Sequence, residues 1–374
     1  MNTALRILVS AGEHSGDQRA AGLIRAFRKM YDSVELKGIG GDALQSIGLR
    51  SEFDVNALSV VGFAEVIRHL PFFRSVMKRM ENLLVEWKPH RVLLVDYPGF
   101  NLRFAKRVKK SGTPISYYIS PQIWAWGSGR MKLIRQTVDQ MLVLFPFEEE
   151  LYLEAGVHAE FVGHPLIDEV RPRLSDAEFW TSINLAPETP ILALLPGSRS
   201  QEFSRHFPVM YAACNEFTEF TPVVGLAPGL PPTLAEFSDL RWTRDIYDLV
   251  SRSSGAVVAS GTATLETAIL GTPMIVVYKT NPLSAALARR LITIPHIAMV
   301  NVVAQECVVP ELLQSDFNPK NLARYIRRLI SDEPYRRRMK ADLNRVVGLL
   351  GTPGASERAA QALYRRITRE SGTQ

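Results

Sequence analysis

The stretch RILVSAGEHSGD (6–17) decides the reading of the fold. Its opening run, Ile7 to Val9, is apolar without alternation, as in a strand covered on both faces. Gly12 and Gly16 mark a loop, and a helix is expected near 18–29. A buried strand, a glycine-bearing loop and a helix form the repeating unit of a parallel α/β sheet.

Outward from that stretch the unit recurs. RVLLVDYPGFN (91–101) leads into a basic helix near 101–110, and PISYYI (114–119), QMLVLF (140–145) and AEFVG (159–163) follow. The charged, aperiodic DEVRPRLSDAE (168–178) reads as an interdomain linker. A second series comprises ILALL (191–195), PVVGL (222–226), AVVAS (256–260) and MIVVY (274–278). Three helices close the chain. The first, with Asn318 as N-cap and Pro319 at the first helical position, stripes Leu322, Tyr325, Ile326, Leu329 and Ile330 on one face. The expected fold is α/β, with two Rossmann-like domains whose parallel sheets face a central cleft. Expected boundaries are 1–170 and 171–345. A last helix within 346–374 packs either on the first domain or on a partner subunit, which would make a homodimer. A length of 374 residues suits two domains.

A formal charge of +6 suits an anionic partner without choosing among phosphate, acidic lipid and nucleic acid. With only Cys214 and Cys307 and no CxxC pair, a disulfide framework or thiolate zinc site is not expected. The N-terminus lacks the apolar length of a signal peptide, and the longest uncharged stretches carry Pro and Gly. These features predict a cytoplasmic protein and leave a place on a membrane surface open.

Ligands of open α/β sheets bind beyond the carboxyl ends of the strands. Four loops follow strands there. In AGEHSGD (11–17), Gly12, Glu13, Ser15, Gly16 and Asp17 read as a ligand loop, or as a plain turn with Asp17 capping the helix; the spacing is neither GxGxxG nor a P-loop. In LPGSRSQE (195–202), Ser198, Arg199 and Glu202 are candidates, with Arg199 a forked cation suited to phosphate oxygens or a surface arginine on an ordinary turn. SGTATLE (260–266) would aim the amides near Ser260, Gly261, Thr262 and Ala263 at an anion. Its Glu266 either accepts from ribose hydroxyls or completes a capping box. In DYPGFN (96–101), Asp96 ends a very apolar strand, as a general base or as a cap of the turn.

Trp124 and Trp126 in ISPQIWAW (119–126) are either core or the wall of an acceptor cleft. From Pro71 onward, Phe72, Phe73, Val76, Met77, Met80, Leu83, Leu84 and Trp87 form a helical core stripe. Upstream, Val61, Phe63, Val66, Ile67 and Leu70 lie beside Arg68 and His69, as core or as a face for anionic lipid and acyl chains. There is no HExxH, GxSxG or DxD, so neither a metal nor another cofactor is expected, and His164 reads as a structured turn. No nucleic-acid module is present.

Taken in order, AGEHSGD, DYPGFN, YYISPQIWAW, LFPFEEELY, FVGHPL, LPGSRSQE and SGTATLE make the chain resemble the lipid A disaccharide synthases from about Ile7 to the helix near Ile330. ISPQIWAW and the AGExSGD loop are highly specific; SGTATLE is shared with other glycosyltransferases of this architecture. The resemblance implies a GT-B fold and an inverting, metal-independent transfer. The donor is UDP-2,3-diacylglucosamine, the acceptor is the 6-hydroxyl of 2,3-diacylglucosamine 1-phosphate, and the products are the β-1,6 disaccharide and UDP. By position, Asp96 matches the family's essential aspartate and Arg199 its arginine near the leaving diphosphate. Glu266 would hold ribose, Asn301 in MVNVVA matches another nucleotide-side position, and DYPGFN varies around the same Asp and Asn, here Asp96 and Asn101. His14 stands where relatives often carry alanine. An anionic surface at the cytoplasmic face of the inner membrane would supply both lipids. The competing readings are a UDP-sugar 2-epimerase of the same fold, a transferase with another lipid acceptor, and a non-catalytic nucleotide-sugar-binding regulator.

Overall fold

A computed structural model describes residues 4–53, 70–125, 129–187, 189–228, 230, 240–282, 285, 294–370 and 372. Two compact units emerge, Met1–Pro165 with Gly351–Gln374, and Leu166–Leu350.

In the first unit the strands are β1 (Leu5–Ala11), β2 (Val34–Ile39), β3 (Leu49–Ser51), β4 (Arg91–Val95), β5 (Ile115–Tyr118), β6 (Gln140–Val143) and β7 (Ala159–Phe161). They form a sheet in the order β3-β2-β1-β4-β5-β6-β7, parallel throughout. The apolar runs are the central strands because helices cover both faces there; β4 is buried along its whole length. On one face lie the helices Leu70–Glu86 and Pro98–Ser111. Val76, Met80, Leu83, Leu84 and Trp87 are buried in that core, with Phe72, Phe73 and Met77 packed against it. The stripe read from sequence as core is therefore core, each such side chain contributing roughly 1.5–3 kcal/mol when fully buried.

The second unit carries β8 (Ile191–Leu195), β9 (Thr221–Gly225), β10 (Arg241–Thr243), β11 (Gly255–Ala259), β12 (Met274–Tyr278) and β13 (Glu311–Leu313). These are again parallel, in the order β10-β9-β8-β11-β12-β13. Each sheet reverses direction of growth once, between β1 and β4 and between β8 and β11. At such a switch point adjacent connections diverge to opposite faces and leave a crevice at the strand ends.

Several features differ from the sequence reading. β2, β3, β10 and β13 were not anticipated; they lie at or next to a sheet edge, where short or mixed sequences suffice. The first helix starts at His14, not near 18, so HSGD is its opening turn. The segment 168–178 is no free linker. Buried Asp248 accepts from the amides of Arg173 and Leu174, and Arg252 donates to the Leu174 carbonyl, fastening the segment to the second unit. The final helix, Ala355–Glu370, belongs to the first unit. Gln140 Nε2 donates to the Ala362 carbonyl at 3.0 Å, and Arg358 Nε to that of Val162 at 2.8 Å.

Candidate functional site

Beyond β4 the chain makes an abrupt turn, with Asp96 (φ 45°) and Tyr97 (φ 48°) both in the left-handed region before the helix Pro98–Ser111. Non-glycine residues hold that conformation only when their surroundings over-determine it. Here they do. The Asp96 carbonyl accepts from Tyr117 Oη at 2.6 Å and from Asn101 Nδ2 at 2.7 Å, and the Asp96 amide donates to the Tyr118 carbonyl at 3.0 Å. Asn101 is fully buried; its Nδ2 also reaches the Ser10 and Val95 carbonyls and its Oδ1 accepts from Ser10 Oγ at 2.6 Å. Asn101 thus ties the end of β1 to the turn after β4, a positioning role and not that of a ligand.

The turn also explains Gly12. A Cβ there would lie 2.4 Å from the Tyr97 ring, so Gly12 admits Tyr97 across the β1 loop. Burial pushes the Asp96 carboxyl above the usual carboxylate range, while the Tyr97 amide and the nearby Arg19 pull it back. A partly desolvated carboxylate at a strand end is suited to accepting a proton. Glu13, His14 and Ser15 are exposed at the same mouth, with His14 Nε2 3.0 Å from Gln18 Nε2. Gly16 is buried. Asp17, expected on a ligand loop or as the helix cap, does neither job: its oxygens take the amides of Gly41, Ala43 and Leu44 at 2.8–3.2 Å, steadying the loop after β2.

Next to this turn, the loop after β5 is held from below by Glu148. Its carboxyl accepts from Ser120 Oγ (2.7 Å), Trp124 Nε1 (3.0 Å) and the amides of Leu144 and Phe145 (both 3.3 Å). Burial outweighs these donors and lifts its pKa to about 7. Trp124, edge-on to Phe147, is therefore fixed; Trp126 lies outside the described residues. His164 is buried against Phe145, its pKa lowered to about 3 by burial and by Arg19, so it stays neutral.

In the second unit a cavity of about 530 Å³ opens at the β8/β11 switch point. It is lined by Gly197, Ser198 and Glu202 after β8, by Ser260, Gly261, Thr262, Ala263 and Glu266 after β11, and by Arg173, Arg244 and Tyr247. Gly197 has φ 120°, and a Cβ there would strike Glu202 at 2.6 Å. Glu202 in turn accepts from the amides of Ser198 and Arg199, so it shapes the turn more than it offers a free carboxylate. Arg199 stands beside the cavity, its side chain 80% exposed and tied to Glu202 at 3.1 Å. Such an exposed pair contributes at most about 1 kcal/mol, so the guanidinium exchanges easily onto a phosphate. Glu266 is no capping residue; its Oε1 accepts from Tyr247 Oη at 3.2 Å inside the cavity.

Asn301, which the resemblance places on the nucleotide side, is enclosed by the fold. It is fully buried, its Nδ2 donating to the Val309 carbonyl and Glu311, its Oδ1 accepting from the amides of Val308 and Val309. With every donor and acceptor site engaged, it supports the loop that Ser260 Oγ reaches through the Ile297 carbonyl. Val61, Phe63, Val66 and Ile67 lie outside the described residues, as does the side chain of Leu70. The sequence reading missed Ser10, Arg19, Tyr97 and Tyr117 around Asp96, and Arg173 and Tyr247 in the cavity. Tyr97 alone carried a signal, its place next to Asp96; the others come from elements remote in sequence.

Among the described residues no helix is long and apolar enough to cross a membrane, and no cluster of His, Cys, Asp or Glu has the makings of a metal site. A profile of the family described as Lipid-A-disaccharide synthetase matches residues 7–365. The lipid-A-disaccharide synthase of Syntrophus aciditrophicus is 42% identical, over 96% of this chain and 97% of its own; that of Nitrosococcus oceani is 40% identical, over 96% of each. Two similar solved structures are the calicheamicin glycosyltransferase CalG4 (TM-score 0.62, 16% identity, 98% of this chain and 99% of that one) and the UDP-GlcNAc 2-epimerase of Neisseria meningitidis bound to UDP-GlcNAc (0.60, 10%, 98% and 99%). At those identities the likeness is one of fold alone.

Proposed function

The chain belongs to the Lipid-A-disaccharide synthetase family, a family of glycosyltransferases, and on that premise we propose how its residues carry the transfer. The reaction joins the 6-hydroxyl of 2,3-diacylglucosamine 1-phosphate to the anomeric carbon of UDP-2,3-diacylglucosamine, with inversion. Asp96 takes the hydroxyl proton as the new C–O bond forms. The bond from the anomeric carbon to UDP breaks, and the leaving electron pair comes to rest on the diphosphate. Arg199, freed from Glu202, neutralises that charge, together with the amides of Gly261–Ala263. Charge that develops only in the transition state is the charge whose neutralisation accelerates the reaction. Glu266 accepts from the ribose hydroxyls, sharing its second acceptor capacity with Tyr247.

The observation that carries this assignment is the Asp96 turn: a carboxylate of raised basicity, held in a left-handed conformation by Asn101 and Tyr117 at a switch point. A proton-accepting group is the one component that inverting transfer requires and that nucleotide binding alone does not. The lipid substrates also give the apolar segment 58–70, with Arg68 and His69 near its end, a use: we assign it to an anionic bilayer surface at the cytoplasmic face of the inner membrane.

The deciding assay mixes purified protein with both lipid substrates in EDTA and follows UDP and disaccharide. Equal amounts of the two products are expected. UDP-sugar epimerised or hydrolysed without the acceptor would instead favour the epimerase reading, which the shared fold keeps as the nearest rival.

A further inference from the structure

Among the described residues, two arginines line the cavity of the second unit, Arg173 and Arg244. Arg244 is occupied by the fold: its Nη1 donates to the Ala227 carbonyl at 3.1 Å and its Nη2 to that of Leu230 at 2.8 Å. Arg173 is different. It is exposed, and among the described residues its guanidinium enters no hydrogen bond or ion pair.

Its backbone, by contrast, is clamped. The Arg173 amide donates to both oxygens of Asp248 (3.1 and 3.0 Å) and the Leu174 amide to one of them (3.0 Å). Arg252 completes the clamp, reaching Asp248 at 2.9 Å and the Leu174 carbonyl at 2.8 Å. A buried carboxylate sharing three donors this way fixes the point from which the Arg173 side chain leaves the main chain, and that point is on the cavity wall. The charge of Arg173 is felt by the Tyr247 phenol, whose hydroxyl bonds Glu266. Arg173 therefore stands near the Tyr247–Glu266 pair on that wall.

If the diphosphate sits at the Gly197 and Gly261 turns and the ribose at Glu266, what lies beyond the ribose is the base. A guanidinium is planar, offers paired N–H donors and stacks on flat rings. Uracil presents two carbonyl oxygens to such donors; cytosine replaces one of them with an amine that only donates. We propose that Arg173 is a base-recognition residue, its guanidinium reading the uracil carbonyl that cytosine replaces with an amine. This rests on the cavity being the UDP-sugar site.

Calorimetry on the full chain tests it, with UDP and CDP titrated into the parent, Arg173→Ala, Arg173→Lys and Glu266→Ala. Because the Arg173 side chain is exposed and the clamp uses its main chain, its replacement leaves the fold intact. The parent prefers UDP; Arg173→Ala weakens UDP about tenfold while changing CDP little, so the preference collapses. Arg173→Lys keeps some affinity but not the preference, since an ammonium lacks the fork. Unchanged UDP affinity in Arg173→Ala, or an equal fall for UDP and CDP, overturns the proposal and leaves the cavity assignment standing. No UDP binding by the parent, or none of it lost in Glu266→Ala, overturns the cavity assignment and the proposal with it.

Discussion

Placing a carboxyl group in a desolvated site raises its proton affinity, and Asp96 and Glu148 use that effect differently. Asp96 is half-buried with a raised pKa at the mouth of the β1/β4 crevice, so it accepts a proton more readily than a solvated aspartate. Asp96→Asn is expected to lower turnover by about 10²–10⁴ with folding unchanged. The acid limb of the parent's rate profile should also lie above the ordinary carboxylate range. Near-parental turnover of the variant, with a native circular dichroism spectrum, would refute the base assignment. Glu148 is sealed beneath the Ser120 and Trp124 loop, with a pKa of about 7 against an unfolded value near 4.5. Between those pH values the folded chain holds a proton that the unfolded chain has released. This group's contribution to stability therefore falls as pH rises through that window. Thermal unfolding should show the parent losing more stability than Glu148→Gln between pH 4.5 and 7.5; parallel curves would contradict the assignment.

At the level of elements, the first strand–loop–helix unit works through close approach. The end of β1, the turn after β4 and the start of the helix Pro98–Ser111 are joined by Ser10, Asn101 and the Tyr97 ring lying over Gly12. Gly12→Ala should force Tyr97 aside and cost about 1–3 kcal/mol, the usual range for overpacking. The same change in a Tyr97→Ala background should cost clearly less, because the clashing ring is gone. Additive losses in that double-mutant cycle would mean that the glycine is needed for another reason. The sequence flagged Gly12 as room for a ligand; the structure fills that room with the protein's own tyrosine.

On the scale of the whole molecule, each unit brings one part of the proposed chemistry to its own switch point: Asp96 as the proposed proton acceptor beyond β4, and the cavity proposed for the diphosphate beyond β8 and β11. Acyl substrates add a requirement that neither sheet meets, since their chains stay partly in lipid. Segment 58–70 is the stretch whose composition answers it. Replacing Phe63 and Val66 together by serine is expected to leave the protein in the supernatant when anionic vesicles are pelleted. Co-pelleting equal to the parent's would remove the membrane from the proposal.

What the sequence determined by itself was the class and order of parts. Uninterrupted apolar runs at Ile7, Val92, Ile191, Val257 and Ile275 require strands covered on both faces, and strand-end loops require that chemistry gather there. Collinear motifs were enough to indicate the family before any coordinates. The tertiary structure alone decided which polar residues of those loops are free. Asp17, Asn101, Glu202 and Asn301 look like ligands in one dimension but are largely taken up by backbone amides and carbonyls, some of them dozens of residues away. Arg173, in what looked like a linker, lines a cavity wall, its guanidinium without a hydrogen bond or ion pair among the described residues. Periodicity is a local property and survives in a string of letters. Whether a side chain's hydrogen bonds are already satisfied depends on neighbours that only folding brings near.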